Sequence, residues 1–83
     1  ANYMSVLAKT EKAIQKMNTL HKEAMDIIKA LDAAVTLGVV DNEIKEGMAN
    51  IRAQIQVVMK DLNTSIDEST KLYKQYMGNE EKS

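Results

Sequence analysis

Few side chains in this chain of 83 residues have the type and spacing that chemistry requires. His21 is the single histidine and there is no cysteine, which excludes a thiolate nucleophile, a disulfide and a zinc site built from several His or Cys ligands. Asp67-Glu68 and Glu80-Glu81 are neighbours in the sequence, and neighbours on a helix point in different directions. There is no glycine-rich phosphate loop. We therefore predict a protein that is not an enzyme and that uses no cofactor or metal ion.

The composition favours long helices rather than a sheet. The chain has no proline, three glycines and few aromatic residues, while 45% of its residues are hydrophobic. The net charge is −1 and no segment forms a basic patch, so nucleic acid is a poor candidate partner. No apolar run reaches membrane-spanning length, and the amino terminus does not resemble a secretory signal peptide. We therefore expect an all-α protein without a membrane span.

One break divides the chain into two helical segments. Gly38 has no Cβ and can take the left-handed conformation that ends a helix. Asp41 or Asn42 can then accept the free N–H groups of the next helix. The result is a single domain with a first helix over about 3–37, a turn over 38–41, a second helix over about 42–77 and a polar tail over 78–83.

Apolar residues recur along both segments at alternating steps of four and three, the spacing of a packed helical seam. The two seams are mirror images about the turn, so that Val35 faces Ile44 near the turn and Tyr3 faces Tyr76 at the open end. This symmetry predicts an antiparallel two-helix hairpin. The predicted hairpin core consists of Leu7, Ile14, Met17, Ala24, Ile28, Leu31, Val35, Ile44, Met48, Ile51, Ile55, Val58, Leu62 and Leu72.

Two residues are unusual for their predicted positions. His21 lies on the seam, where it would be either a partly packed boundary residue or a pH-sensitive contact. Gly47 lies inside the second helix, where glycine costs up to about 1 kcal/mol relative to alanine. Close approach to Ala30 and Ala34 would be a reason for a glycine at that position.

Two helices by themselves would leave further large apolar side chains in water. Burying one such side chain is worth about 1.5–3 kcal/mol, so several together favour association. We predict a homodimer of hairpins that forms a four-helix bundle, with a heterologous partner helix as the alternative. On a helical wheel the rows of the two helices do not fall on one flank, which leaves the stacking mode open. The predicted self-association or partner face consists of Val6, Leu20, Ile27, Met59, Ile66 and Tyr73.

The end of the second segment carries a tyrosine four residues before an acid, in Tyr76-Met77-Gly78-Asn79-Glu80. Together with the helix-turn-helix pattern and Gly38 in the turn, this element resembles the WXG100 (ESX-type) family and the related small helical partners of LXG toxins. Thr36 stands where the WXG100 turn has its tryptophan. A diverged relative or an LXG-toxin partner is therefore the better fit.

The resemblance implies a non-enzymatic protein that type VII secretion exports without a cleaved signal peptide. Such a protein is cytoplasmic before export and secreted after it. The resemblance also implies homo- or heterodimers, including a complex with an LXG-type toxin, and an export signal formed by Tyr76 and Glu80. Two other functions stay open. One is a cytoplasmic helical-hairpin chaperone that holds an apolar helix of an export substrate, and the other is a structural coiled-coil piece of a larger protein.

Overall fold

The structure, a computed structural model, describes the backbone of residues 3–38 and 40–82 and the side chains of residues 4–38 and 40–78. It contains helix α1 over Tyr3–Thr36 and helix α2 over Asn42–Lys82, which pack against each other as an antiparallel hairpin. The hairpin is a rod of 62 × 18 × 14 Å. The predicted all-α hairpin fold is confirmed. Neither helix, within the described residues, has an apolar stretch long enough to cross a membrane.

The turn between the helices is built by a glycine and an aspartate. Gly38 has a φ of 69°, in the left-handed region, and its N–H donates to the carbonyl of Val35 at 3.1 Å. Asp41 caps α2, because its Oδ1 accepts the N–H of Ile44 at 2.9 Å. Glu43 adds negative charge in the first turn of α2, where the helix dipole favours it. Local chemistry therefore explains where one helix stops and the next begins.

Helix α2 is longer than the sequence pattern predicts. The prediction ends it near residue 77 and assigns 78–83 to a polar tail, whereas the helix continues to Lys82. Gly78 weakens a helix by about 1 kcal/mol relative to alanine, but it does not break one. Glu80, Glu81 and Lys82 are good helix formers and there is no proline to stop the helix, so α2 continues past the glycine.

The inward row of α1 follows the predicted seam over nearly its whole length. Leu7 is 7% exposed, and the row continues with half-buried residues through to Leu31. Thr10 satisfies its hydroxyl on this apolar row by donating to the carbonyl of Val6 at 2.8 Å. Val35 is the exception, because it is exposed while Ala34 before it is half-buried. The inward row of α1 is Leu7, Thr10, Ile14, Met17, His21, Ala24, Ile28 and Leu31.

The inward row of α2 differs from the predicted one in every second residue. Four residues predicted in the hairpin core, Ile44, Ile51, Val58 and Leu72, are each 43–53% exposed. Helix α2 is rotated about its axis relative to the prediction. Arg52, Met59 and Tyr73 therefore pack against α1 in place of Ile51, Val58 and Leu72. This rotation packs Ile66 in place of Ser65, which fills the seam better near the open end. The inward row of α2 is Met48, Arg52, Ile55, Met59, Leu62, Ile66, Ser69, Tyr73 and Tyr76.

An ion pair defines how the helices are aligned along their length. Arg52 Nε lies 2.9 Å from Asp32 Oδ1, and Arg52 Nη2 lies 3.2 Å from Asp32 Oδ2. Leu31 is therefore level with Arg52, whereas the predicted mirror symmetry pairs it with Met48. The true alignment lies one helical turn further along α2. Followed along both inward rows, it places Leu7 level with Tyr76.

The alignment also changes the surroundings of Gly47. A Cβ added to this residue would meet no atom within 4 Å, and the residue is exposed. The predicted close approach of Gly47 to Ala30 and Ala34 is therefore wrong. The shift of one turn brings Met48 and Arg52, rather than Gly47, against the end of α1.

Candidate interaction surface

Seven of the thirteen exposed large apolar side chains among the described residues follow one row on each helix. In both helices the members of this row recur every seven residues, and most of them directly precede an inward residue. Ile27 precedes the inward Ile28 in α1, and Val58 precedes the inward Met59 in α2. The two rows occupy equivalent positions relative to the contact between the helices. We call them together the apolar face, which consists of Val6, Ala13, Leu20, Ile27, Ala34, Ile44, Ile51, Val58, Ser65 and Leu72.

The antiparallel arrangement places both rows on the same side of the hairpin. Antiparallel helices are exchanged by a two-fold rotation about an axis perpendicular to the plane that contains both helices. This rotation reverses the chain direction but does not exchange the two sides of that plane. Residues at equivalent positions on the two helices therefore lie on the same side, and the rows of α1 and α2 form one continuous surface.

The apolar face is hydrophobic along its whole length. Seven of the thirteen large apolar side chains exposed among the described residues lie on it, and each of the seven is 40–53% exposed. The remaining members are Ala13, Ala34 and Ser65, so the face carries no charge. From Val6 to Ala34 it extends about 42 Å, at about 1.5 Å per residue. A surface of this size and composition is typical of a binding site for another protein.

The structure changes the composition of the predicted partner face. Val6, Leu20 and Ile27 lie on the apolar face, as the sequence predicts, and are exposed. Met59, Ile66 and Tyr73 are instead half-buried against α1, because α2 is rotated. Their places on the apolar face are taken by four residues that the sequence pattern predicts in the hairpin core, namely Ile44, Ile51, Val58 and Leu72.

A signal in the sequence could have revealed this exchange. The predicted seam of α2 places Ser65 and Ser69 at consecutive inward positions, which leaves a poorly filled polar stretch. If the seam is instead drawn through Ile66 and Tyr73, the surplus rows of both helices fall on one flank. The correct rotation of α2 is therefore the one that places the surplus apolar rows of both helices on a single face.

The opposite side of the hairpin is more polar and carries two open grooves. The larger, of about 640 Å³, is lined by nine residues that include Met25, Met59, Lys29, Lys60 and Asp67. The smaller, of about 330 Å³, lies beside the Asp32–Arg52 ion pair. Within the part of the chain that the structure describes, no group of acidic, His or Cys side chains could hold a metal ion. The grooves bring together no recognisable set of catalytic groups.

The Asp32–Arg52 pair is the strongest electrostatic feature among the described residues. The hydrogen bond to Asp32, and then the charge of that carboxylate, raise the pKa of the Arg52 guanidinium above its usual value. The two side chains are 53% and 39% exposed, so solvent screens the interaction. The pair therefore marks the alignment of the helices but contributes little to their stability.

The predicted export signal lies at the open end of the hairpin. Tyr76 is half-buried on the inward row of α2. Position 80 follows one helical turn later on the same helix, but the Glu80 side chain lies outside the described side chains. Tyr3, which the prediction places opposite Tyr76, also has its side chain outside the described set. The structure therefore places one of the two signal residues and only the backbone of the other.

No protein-family model, curated protein or solved structure matches this chain. The structure by itself shows a small helical hairpin with an apolar face. The resemblance to the WXG100 family and to LXG-toxin partners therefore stays a hypothesis.

Proposed function

We propose that this chain is a non-enzymatic interaction protein that binds another helical surface through its apolar face. The observation that carries the proposal is the position of the surplus apolar rows of α1 and α2. Both rows lie on one side of the hairpin, their seven large apolar side chains are exposed, and neither row contains a charged residue. The surface follows two parallel rods for about 42 Å, so a partner of similar length and shape, such as one or two long helices, fits it best.

The energetics of the isolated hairpin support association. Leu7 is the only large apolar side chain buried among the described residues. The chain exposes 6420 Å², whereas a compact protein of its mass exposes about 5,000 Å². The excess of about 1,400 Å² is surface that a compact fold of this size would bury. A partner that covers the apolar face would supply burial that two helices cannot give each other.

The test of this proposal uses one substitution on the apolar face and one matched control. Ile27→Lys places a charge at the centre of the face, while Val57→Lys places it on the outer side of α2, where Val57 is already 60% exposed. Tagged wild-type protein and both variants are purified from the native cell and its culture medium. We expect Ile27→Lys to lose the helical partner and Val57→Lys to keep it. Equal recovery of that partner by both variants would exclude the apolar face as the binding site.

We further propose that the hairpin is a substrate of type VII secretion or a targeting partner of an LXG-type toxin. The support is the resemblance in size, turn and helix order, together with Tyr76 and Glu80 one turn apart on α2. In this proposal Tyr76 and Glu80 form the export signal. The protein would then be found outside the cell, either as a dimer of its own or bound to the toxin.

A double substitution tests the export role. Tyr76→Ala with Glu80→Ala removes the proposed signal, and Tyr73→Ala with Glu81→Ala removes the same side-chain types outside it. Both tyrosines lie on the inward row of α2, so the control carries a similar loss of packing. We expect the first variant to accumulate in the cytosol and the second to be exported. Unchanged secretion of the first variant would refute the signal, and a wild-type protein confined to the cytosol with one client would favour a chaperone.

A further inference from the structure

We propose that His21, Met25 and Met59 form a binding site for a soft monovalent metal ion, Cu(I), beside the larger groove. The site lies on the opposite side of the hairpin from the apolar face, so the inference is independent of the proposed function. The sequence predicts no metal site, because it has one histidine and no cysteine. Thioether sulfur is a further ligand type for soft metal ions, and the fold brings two methionines next to the single histidine.

Two of the three ligands are one helical turn apart on α1. His21 and Met25 stand at positions i and i+4, whose side chains are neighbours on a helix surface with about 5–6 Å between their Cβ atoms. His21 is half-buried on the inward row, and Met25 lies outside that row with 41% exposure. A metal ion held by both would therefore lie at the boundary between the seam and solvent.

The third ligand comes from α2 at the same level of the hairpin. Met59 is level with Ala24 in the observed alignment, so its height falls between those of His21 and Met25. Met59 directly follows a residue of the apolar face, as His21 does, and one residue is a rotation of about 100° around a helix. Both side chains therefore lie towards the opposite side of the seam, where Met25 and Met59 line the larger groove together.

The imidazole of His21 has nitrogen atoms that are free to bind a metal ion. Among the described residues, His21 takes part in no hydrogen bond or ion pair. No side-chain nitrogen or oxygen of the described residues is fully buried without a partner, so the ring nitrogens of His21 reach solvent. They do so although the ring is half-buried on a mainly apolar row. A neutral imidazole nitrogen in such a position is a ready metal ligand.

The ligands and the surrounding charges favour Cu(I) over divalent ions. Thioether sulfur is a soft ligand that suits Cu(I), and imidazole also binds copper. Lys29 and Lys60 line the same groove, and their charge disfavours a divalent cation more than a monovalent one. Asp67 is the one acid among the nine lining residues, and it lies about 12 Å further along α2 than Met59. The site therefore offers neutral soft ligands without a carboxylate.

Competition with a coloured Cu(I) chelator such as bicinchoninate, under reducing and oxygen-free conditions, tests the site. We expect the wild-type chain to take Cu(I) from the chelator. Met25→Leu, Met59→Leu and His21→Gln should each lower the affinity at least about tenfold. Leucine has nearly the volume of methionine, so the first two variants keep the packing. Met4→Leu is the matched control, because Met4 is 66% exposed and lies about 25 Å from His21 along α1. This control should bind Cu(I) as the wild type does.

The NMR signals of the methionine methyl groups show which sulfur atoms bind the ion in the wild-type chain, whether or not a variant folds. The chain has six methionines, and each leucine variant assigns one methyl signal. When Cu(I) is added, we expect the methyl signals of Met25 and Met59 and the ring signals of His21 to shift, and the signal of Met4 to stay. Far-UV circular dichroism shows whether each variant remains helical.

Three results would overturn the proposal. The first is a wild-type chain that takes no Cu(I) from the chelator. The second is binding that all three ligand variants leave unchanged. The third is binding that Met4→Leu weakens as much as Met25→Leu does, because any exposed thioether would then capture the ion. None of these results would affect the proposed function, since the apolar face lies on the other side of the hairpin.

Discussion

Arg52 marks the alignment of the two long helices through its contact with Asp32. It is the only arginine of the chain, and it lies on the inward row of α2 among mainly apolar side chains. Its aliphatic stem can follow the apolar seam while the guanidinium reaches Asp32 on α1. A polar residue on the seam can favour one alignment over the alignments shifted by one helical turn, because only in that alignment does it meet a partner. Arg52 and Asp32 meet this condition.

At the scale of the residue, we predict that the sign of the charge at position 52 affects the unfolding temperature more than the loss of the ion pair does. Arg52→Glu places a second acid beside Asp32 and should lower the unfolding temperature through repulsion. Arg52→Met keeps an unbranched stem on the seam without charge and should be as stable as wild type or more stable, because exposed ion pairs contribute little. Thermal unfolding followed by circular dichroism measures both. An Arg52→Glu protein as stable as wild type would show that Asp32 does not face this position.

Helix α2 carries two apolar rows, either of which could face α1. The rows that run through Val58 and through Met59 both alternate with the shared row of Met48, Ile55 and Leu62, so the periodicity of α2 fits either rotation. The observed rotation packs Ile66 and Tyr73 near the open end and leaves Ser65 outside. It also leaves one apolar row of α2 exposed, on the same side of the hairpin as the surplus apolar row of α1. The rotation of this one helix thus creates the apolar face.

At the scale of the element, engineered disulfides distinguish the two alignments. Ala24→Cys with Met59→Cys joins residues that are level in the observed alignment, whereas Ala24→Cys with Ile55→Cys joins residues that are level in the predicted mirror. A disulfide requires Cα atoms within about 7 Å, so a shift of one turn separates the second pair too far. We expect only the first pair to close within one chain on oxidation, as seen by non-reducing electrophoresis. Closure of the second pair alone would contradict the alignment described here.

The whole molecule is a rod with a thin core. Two helices share a single line of contact, so each buries one stripe and leaves much of its remaining apolar surface in water. Helices in proteins owe most of their stability to tertiary packing rather than to the helix propensity of their residues. With one buried large apolar residue among those described, the hairpin is expected to gain much of its stability from association.

At the scale of the whole molecule, we predict that thermal stability depends on protein concentration. For a chain that folds as a dimer, each tenfold rise in concentration adds about 1.4 kcal/mol per mole of dimer to the free energy of unfolding. The unfolding temperature should therefore rise by several degrees between about 1 and 100 μM. Ile27→Lys should remove this dependence, whereas Val57→Lys should keep it. A wild-type unfolding temperature that is constant over this range would show that the hairpin is stable as a monomer.

The sequence by itself determined the two helices, the break at Gly38 with its cap at Asp41, the antiparallel fold and nearly the whole inward row of α1. These features depend on local chemistry and on the 3.6-residue period, which neighbouring residues express without reference to the rest of the chain. Only the tertiary structure decided the rotation of α2, its alignment with α1 and therefore the membership of the apolar face. The physical reason is that α2 has two apolar rows of similar strength. The choice between them depends on how Ile66, Tyr73 and Arg52 pack against the other helix.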